Sequence, residues 1–253
     1  MQDTAARRKG VGKTERRDTW WLQPLLTVVA LGAFVAYATW VAFTGDNYWV
    51  EPYLSPFYSP LLGGNLGEPV LKLRWWPFTP AILVLWVPLG FRLTCYYGRR
   101  TYYRAFFWDP PACAVGEPRK GYHGESRFPF ILQNLHRYFF YLSLVVVAFL
   151  WYDAVRGFVF DGRFGVGVGS LLLLAEALLL SMYSLSCHCL RHVAGGCVDC
   201  LSRRPARYRL WRWVSALNAN HGLWFWISLS GAVVADLYIR LVATGAVIDL
   251  RIV

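Results

Sequence analysis

The sequence is poor in charged residues. Asp, Glu, Lys and Arg make up 16% of its 253 residues, whereas a soluble domain usually carries about 25%. Hydrophobic residues reach 56% and aromatic residues 17%, with 13 Trp among them, and Trp and Tyr concentrate where lipid meets water. The shortage of charge and the excess of apolar side chains exclude an ordinary soluble domain and predict a protein embedded in a bilayer.

Acidic residues are particularly scarce. Fifteen Asp and Glu stand against 26 Lys and Arg, which gives a net charge of +11. A positive excess is also typical of nucleic-acid-binding proteins, but here the basic residues lie in short stretches between apolar runs. That distribution orients membrane spans, so we expect no nucleic-acid partner. The sequence also lacks internal repeats and, beyond its basic N-terminal tail, low-complexity tracts.

Long apolar runs are abundant. A spanning helix needs about 20 mostly apolar residues, and five segments meet this length, namely 22–44, 78–97, 134–155, 165–190 and 214–243. The first is too long for the apolar core of a secretory signal and is expected to be retained. The prediction is an all-α integral membrane protein, a bundle of about five transmembrane helices. Residues 1–21 are expected to form a basic cytoplasmic tail and 22–253 a single transmembrane helical domain.

The second segment is the shortest of the five, and it contains Pro80, Pro88 and Arg92. Proline is tolerated in membrane helices because neighbouring groups satisfy the freed backbone. An arginine at such a depth either snorkels to the surface or faces a partner. We therefore keep this segment as a span and expect Arg92 to follow one of these two courses.

The distribution of Lys and Arg predicts the orientation. Six lie in the N-terminal tail, six in the 98–129 loop and six in the 191–213 stretch. The 45–77 loop has only Lys72 and Arg74, and the 156–164 loop has only Arg156 and Arg163. Cytoplasmic loops carry the excess of positive charge. The expected protein is therefore a multi-pass protein of the plasma membrane with its N-terminus in the cytoplasm and its C-terminus outside.

All six cysteines fall on the predicted cytoplasmic side: Cys95, Cys113, Cys187, Cys189, Cys197 and Cys200. Disulfides are rare in that compartment, so free thiols or metal ligands are the better interpretation. Cys95 ends the second span and Cys113 lies in the following loop. The other four surround the turn after the fourth span, and this makes that turn the richest candidate site.

The turn combines thiols with imidazoles. His188 and His192 are four residues apart, so on a helix they share one face and can bind one metal ion. Gly195 and Gly196 permit a sharp reversal that would bring the Cys197-x-x-Cys200 pair back toward the helix end. Thiolate and imidazole suit a tetrahedral zinc or an iron–sulfur cluster. Two Cys on one iron and two His on the other is the Rieske arrangement, and spacing alone does not separate these possibilities.

Two further histidines and a basic run have two interpretations each. His136 near the entry of the third span and His221 near the start of the fifth can ligate a haem or form structural hydrogen bonds. His123, in a polar loop, is expected to be solvated. The run 203–213 combines Arg with Trp, which favours an interfacial anchor over a docking or quinone-entrance surface.

Several stretches resemble the membrane-anchor subunit of actinobacterial, mycobacterial-type succinate dehydrogenase. These are YRAFFWDPPACAVGE at 103–117, FPFILQNLHRYF at 128–139, Cys187-His188, Arg191-His192, Gly195-Gly196 and the run from Tyr208 to Trp211 leading to His221. The resemblance covers most of the chain after the tail. It implies a subunit of respiratory complex II. In that complex a partner subunit, the flavoprotein, oxidises succinate, an iron–sulfur subunit relays the electrons, and this anchor passes them to quinone.

The resemblance also implies a haem-free anchor with a Rieske-type [2Fe–2S] cluster. Carried over to this chain, it gives Cys187, His188, His192 and Cys200 as the ligands. Cys189, Cys197 and His221 are alternates, because further thiols and a further imidazole lie within the same stretch of sequence. Two other functions stay open: a haem-b anchor that uses His136 and His221, and a non-redox membrane protein with a structural zinc.

The quinone, with menaquinone expected, should bind near the cluster at the cytoplasmic helix ends. Its tail is apolar, so the headgroup should enter from lipid among amphipathic rings and a few polar side chains. The candidates at that level are His136, Arg137, Trp211 and Trp213. His136 is suited to give a proton or hydrogen bond to the reduced quinone because imidazole titrates near neutral pH.

Overall fold

A computed structural model of the chain describes residues 10–63, 67, 69, 71, 78–118, 126–128 and 130–252. Two loops and the tail are therefore described only in part. Some of the Lys and Arg residues counted above, and His123, lie outside the described part: Arg7, Arg8, Lys9, Lys72, Arg74, Arg119, Lys120 and His123.

Helices dominate the described part of the chain. They are α1 (Leu22–Thr44), α2 (Pro80–Thr94), α3 (Tyr96–Tyr102), α4 (His136–Arg156), α5 (Val168–Leu185), α6 (His188–Gly195), α7 (Pro205–Asn218) and α8 (His221–Ala243). Four helical stretches are long and apolar enough to cross a membrane: α1, Phe130–Arg156, α5 and α8. A bent pair, Pro80–Thr94 with Tyr96–Phe107, makes up to five if it counts as one span. The expected bundle of about five transmembrane helices is confirmed.

Two of the predicted segments are wrong at their boundaries. The segment 165–190 runs past the true end of α5 at Leu185, and 214–243 joins the end of α7 to α8. The first break occurs because Ser186 closes α5 by donating to the Tyr183 carbonyl, at 2.9 Å. Cys187 is then extended and begins α6 as its N-cap. Short polar side chains that bond their own backbone end helices in this way.

Two short hairpins connect spans. β1 (Trp49–Val50) pairs with β2 (Tyr53–Leu54), and β3 (Val159–Phe160) pairs with β4 (Arg163–Phe164), both antiparallel. In the segment after α1, a short 3₁₀ turn at Pro56–Tyr58 follows β2. The aromatic side chains of this segment pack inside the protein, since Tyr48 stacks on Tyr58 with ring centroids 4.1 Å apart and both are buried.

The chain forms two compact units. One contains the chain up to Tyr37 and Leu93–Leu135, and the other contains Ala38–Arg92 and His136–Val253. Within the first, Gly12 donates to the Gly116 carbonyl at 2.8 Å and Gly116 donates to the Lys13 carbonyl at 2.9 Å. The tail next to α1 is therefore tied to the loop after α3. The division into a tail, 1–21, and a helical domain, 22–253, stays a prediction.

The second unit contains the predicted metal ligands and helix α5. This helix contacts both α4 and α8. Their shared core is a cluster of buried apolar side chains: Tyr53, Leu150, Ala154, Phe160, Leu173, Ala177 and Ile239. α2 approaches α4 closely at Gly90, where any Cβ would collide with the Phe139 ring. These contacts set the positions of the first residues of α4, α6 and α8.

Candidate metal centre

The site begins at the join between α5 and α6. Cys187 is the N-cap of α6, and its Sγ accepts a hydrogen bond from the backbone N–H of Cys189 at 3.3 Å. The N-terminus of a helix presents partial positive charge, which favours an anionic sulfur. Cys187 is buried and Cys189 half-buried. In the sequence Cys-His-Cys, Cys187 thus caps the helix and Cys189 lies beside it.

A histidine from another helix completes a group of three ligand atoms. His136 is the first residue of α4, and its ring stacks on Phe91 with centroids 4.9 Å apart. Its Nε2 lies 3.2 Å from Sγ of Cys187. The ligand atoms of His136, Cys187 and Cys189 all lie within 4.8 Å of one another, and this is the one such group in the part of the chain that the structure describes.

The surroundings of Cys189 favour its thiolate. The neighbouring Cys187 side chain, as a hydrogen-bond partner, lowers the pKa of the Cys189 thiol, and the charge of Arg137 acts in the same direction while burial opposes both. Arg137 follows His136 in α4 and is itself exposed. A thiolate is the form of cysteine that binds metals, so the local charges suit a metal site.

His221 supplies a further imidazole close to this group. It is the first residue of α8 and is buried, at 1% exposure. Its Nδ1 lies 2.6 Å from Oγ of Ser186, the residue before Cys187. Its ring stacks on Tyr183 with centroids 4.9 Å apart. His221 also interacts electrostatically with His136 and with His188, so the three imidazoles belong to one region of the unit.

The remaining predicted ligands are spread along α6 and the following turn. His188 and His192 both lie on α6, as their spacing predicts, and both are exposed. Cys197 is exposed in a left-handed backbone conformation with φ 56°, and Cys200 is half-buried. Among the described residues, these four are not members of the close group around Cys187. Of the first-choice ligands, only Cys187 belongs to it.

Helix α7 supports α6 from one side. Arg207 donates to the carbonyls of Val193, Ala194 and Gly196 at 2.9 to 3.1 Å, which satisfies the end of α6. Trp211 packs so closely on Gly195 that any Cβ there would collide with its ring. The basic run before Trp213 is therefore partly a structural brace for α6, in addition to its predicted role as an interfacial anchor.

The four predicted quinone residues fall on two helices. His136 and Arg137 begin α4, and Trp211 and Trp213 lie on α7. α6 contacts both of these helices. His136 is in the metal-capable group, Arg137 is exposed beside Cys189, and Trp213 is 48% exposed. Arg137 and Trp213 are thus the members of this set that remain open to lipid or solvent.

Arg92 faces a partner inside the bundle. Its guanidinium lies over the Tyr183 ring at 4.6 Å and donates to the Phe225 carbonyl and to Oγ of Ser228, both at 3.0 Å. It also acts electrostatically on His221. We expected Arg92 either to snorkel or to face a partner, and in the structure it faces a partner.

Sequence reasoning did not connect His136 with the cysteines, and it passed over Glu176 in the fourth span. The sequence contains an indication of the role of each residue. His136 lies at the same predicted end of its span as Cys187, and Glu176 is an acidic residue in the middle of an apolar run. Intramembrane ionisable residues are functional candidates by default.

Comparisons with known proteins agree with the helical membrane fold. The family model of the actinobacterial succinate dehydrogenase subunit SdhC matches residues 22–245. A chain of the solved Mycobacterium smegmatis Sdh1 complex in the apo form is 46% identical, with a TM-score of 0.87, over 98% of this chain and 97% of that chain. No curated protein matches. The chain belongs to the family of actinobacterial succinate dehydrogenase SdhC subunits and is a multi-pass membrane subunit of that enzyme complex.

Proposed function

We propose that this subunit holds a Rieske-type [2Fe–2S] cluster and uses it to relay electrons from the iron–sulfur subunit of succinate dehydrogenase to quinone. The observation that supports it is the convergence of His136, Cys187 and Cys189 within 4.8 Å. The flavoprotein and iron–sulfur subunits are its partners, and succinate is oxidised on the flavoprotein. The membrane subunit contributes the last electron-transfer group and part of the quinone site.

The donor set fits this cluster by its chemistry. A Rieske centre takes two Cys and two His, and the close group already offers two thiols and one imidazole. We assign the fourth position to His221, because it is buried and because Ser186 fixes one ring nitrogen next to Cys187. When bound, the cluster would supply one-electron transfer at a potential raised by the neutral imidazoles.

The chain's own residues prepare the site. Hydrogen bonds that fix an imidazole's tautomer and direction are the usual support of a metal ligand, and Ser186 does this for His221. Phe91 and Tyr183 stack on His136 and His221 and hold the two rings in place. The backbone N–H of Cys189 donates to the sulfur of Cys187 and fixes its position at the start of α6.

This ligand set shares Cys187 with the set that the resemblance implies and takes Cys189 and His221 from its alternates. His188, His192 and Cys200 stay predictions of the resemblance. We reassign His136 from the predicted quinone residues to the metal ligands, because an imidazole bound to iron through Nε2 does not also bond a quinone through that atom. The quinone headgroup, menaquinone by expectation, is then proposed to bind near Arg137 and Trp213.

The orientation belongs to the same proposal. Electrons arrive from soluble subunits, so the end of the unit that carries Cys187 should face the cytoplasm, with the N-terminus inside and the C-terminus outside. Single cysteines introduced near Arg209 and near Asp161 test this in intact cells with an impermeant thiol reagent. We expect labelling near Asp161 only; labelling near Arg209 from outside would reverse the orientation.

The ligand assignment is tested on the purified complex by iron and sulfide analysis, EPR and two activities. Cys189→Ala, His136→Ala and His221→Ala should each lose the EPR signal of the anchor. They should also lose succinate-driven quinone reduction but retain succinate oxidation by a soluble artificial acceptor. Cys113→Ala, at an exposed thiol of the other unit, is the matched control and should retain all of these properties.

Other outcomes separate the alternatives. Loss of the signal in His188→Ala, His192→Ala and Cys200→Ala, with retention in Cys189→Ala, would restore the ligand set of the resemblance. A Soret band with a positive pyridine haemochrome would indicate the haem-b anchor. Zinc without iron would indicate a structural metal and contradict the relay.

A further inference from the structure

A buried acid lies in the middle of α5. Glu176 stands about halfway between Val168 and Leu185 and is 1% exposed. Neither oxygen of its carboxyl group has a hydrogen-bond partner among the residues that the structure describes. Buried polar groups in proteins are nearly always hydrogen-bonded, and each exception requires an explanation.

The carboxyl group has a defined place between helices. One oxygen lies against Gly231 of α8, where any Cβ would collide with it. The absence of a side chain at Gly231 therefore makes the room that the acid occupies. The carboxyl group is therefore part of the contact between α5 and α8.

One cation connects Glu176 with the candidate metal centre. Arg92 donates to Oγ of Ser228 on α8 at 3.0 Å, three residues before Gly231, against which the carboxyl group of Glu176 lies. Its guanidinium lies over Tyr183, whose ring stacks on His221. We therefore expect a change of charge at the centre to act on both Arg92 and Glu176, because electrostatic interactions are strong in a low-dielectric interior.

Two other carboxyl groups of the spanning helices are different. Asp236 accepts hydrogen bonds from Arg240 and Ser55, and Asp153 accepts one from Ser59. These acids have partners that stabilise one protonation state. Among the buried acids described, Glu176 is the one without such bonds, so a nearby charge has the greatest influence on whether it carries a proton.

We propose that Glu176 is a redox-linked proton site: its carboxylate takes up one proton when the anchor gains an electron and releases it when the electron leaves. The electron comes from the iron–sulfur subunit and leaves to quinone. The proton comes from water, forms an O–H bond on the carboxyl group, and returns to water or accompanies the electron to quinone. The proposal rests on the proposed function only in needing an electron acceptor near His221, whatever its chemical identity.

The physical reason is charge compensation. An ionised carboxylate without hydrogen bonds is costly in a membrane interior, and Arg92 is the cation that offsets this cost. An electron added at the centre partly cancels the positive potential that Arg92 produces at Glu176. The carboxylate is then less stabilised, and binding a proton removes its charge.

Redox-difference infrared spectroscopy of the complete complex in lipid tests the proposal, with succinate as reductant. The parent complex should gain a carboxylic-acid C=O band on reduction, and the band should shift in D₂O. Glu176→Gln should lack this band. Asp153→Asn is the matched control, because it makes the same carboxyl-to-amide change in a neighbouring span and leaves an oxygen to accept from Ser59; it should retain the band.

A parent spectrum without the band, or a band that persists in Glu176→Gln, overturns the proposal. If Glu176→Gln does not assemble, Glu176→Asp keeps the test decisive, since the band should move in frequency when it belongs to this residue and stay fixed when it does not. EPR of the same samples detects the cluster independently of the infrared band. A complex with the infrared band but without an anchor EPR signal would contradict the [2Fe–2S] proposal and support the proton site.

Discussion

The two ends of α5 differ in how buried polar groups find partners. Near its start, Asp249 accepts from Tyr53, Tyr238 and the N–H of Gly169 at 2.7 to 3.1 Å. Beyond its last residue, Cys187, Cys189 and His136 bring ligand atoms together. The first end is closed by hydrogen bonds within the chain, which indicates a structural role. The second gathers atoms that a metal can join, which indicates a functional one.

The end near Asp249 also contains a buried ion pair, between Arg240 and Asp236. Arg240 donates from Nε to Asp236 at 2.8 Å and from Nη1 to the Asp46 carbonyl at 2.6 Å, and Ser55 donates to Asp236. Asp236 is completely buried. This network joins α8 to the segment between α1 and β1, so it holds the hairpin against the helices.

The largest effect is expected from breaking this ion pair. Asp236→Ala leaves the guanidinium of Arg240 buried without its carboxylate, and loss of one partner of a buried pair costs about 3–5 kcal/mol. Thermal unfolding of the purified complex in detergent measures the loss. The anchor's EPR signal, at the other end of the helices, should survive in the fraction that remains folded.

Asp161→Asn provides the control, because Asp161 is exposed in the turn between β3 and β4. It should leave the unfolding temperature unchanged. An Asp236→Ala complex as stable as the parent would contradict the structural role of this end and remove the contrast with the other.

A smaller effect is expected at the end that carries the candidate metal centre. Arg207→Ala removes the hydrogen bonds to the last carbonyls of α6. Hydrogen bonds from charged groups each contribute about 1.5–3 kcal/mol, and the partial exposure of Arg207 reduces its share toward the lower value. We expect a modest fall in unfolding temperature, with iron retained, because Cys187 and Cys189 lie at the opposite end of α6.

Arg209→Ala is the matched control for this change, since Arg209 is an exposed arginine on the same helix. It should have no measurable effect on unfolding. Equal effects of the two substitutions would mean that α6 is not held by Arg207. Loss of iron in Arg207→Ala would mean that the C-terminal end of α6 also supports the ligands.

The sequence predicted the spans well because lipid imposes a simple requirement. Each spanning helix needs about 20 apolar residues to satisfy its own backbone, and the first predicted segment has the bounds of α1, Leu22–Thr44. The breaks at Ser186 and at Asn220 could not be read from hydropathy. The first depends on a side chain that bonds the local backbone, from Ser186 to the Tyr183 carbonyl.

The candidate site was predicted in part. The spacing of His188 and His192 gave a true helical pair, and the richness of the turn in cysteine identified the region. The partnership of His136 with Cys187 is a contact across 51 positions of sequence, and local spacing contains no information on it. The isolation of Glu176 is likewise invisible, because an acid's lack of partners is a property of its neighbours in space.

By itself, the sequence determined that the chain lies in a membrane, roughly where its helices cross, and which turn carries the thiols. These properties follow from hydrophobic length and residue type, which act locally. Only the tertiary structure decided which imidazole meets which thiol, which acid is paired and which is not, and which cation links the two. Those outcomes depend on the packing of α2, α4 and α8 around α5, and a contact between helices is fixed only when their facing side chains fit.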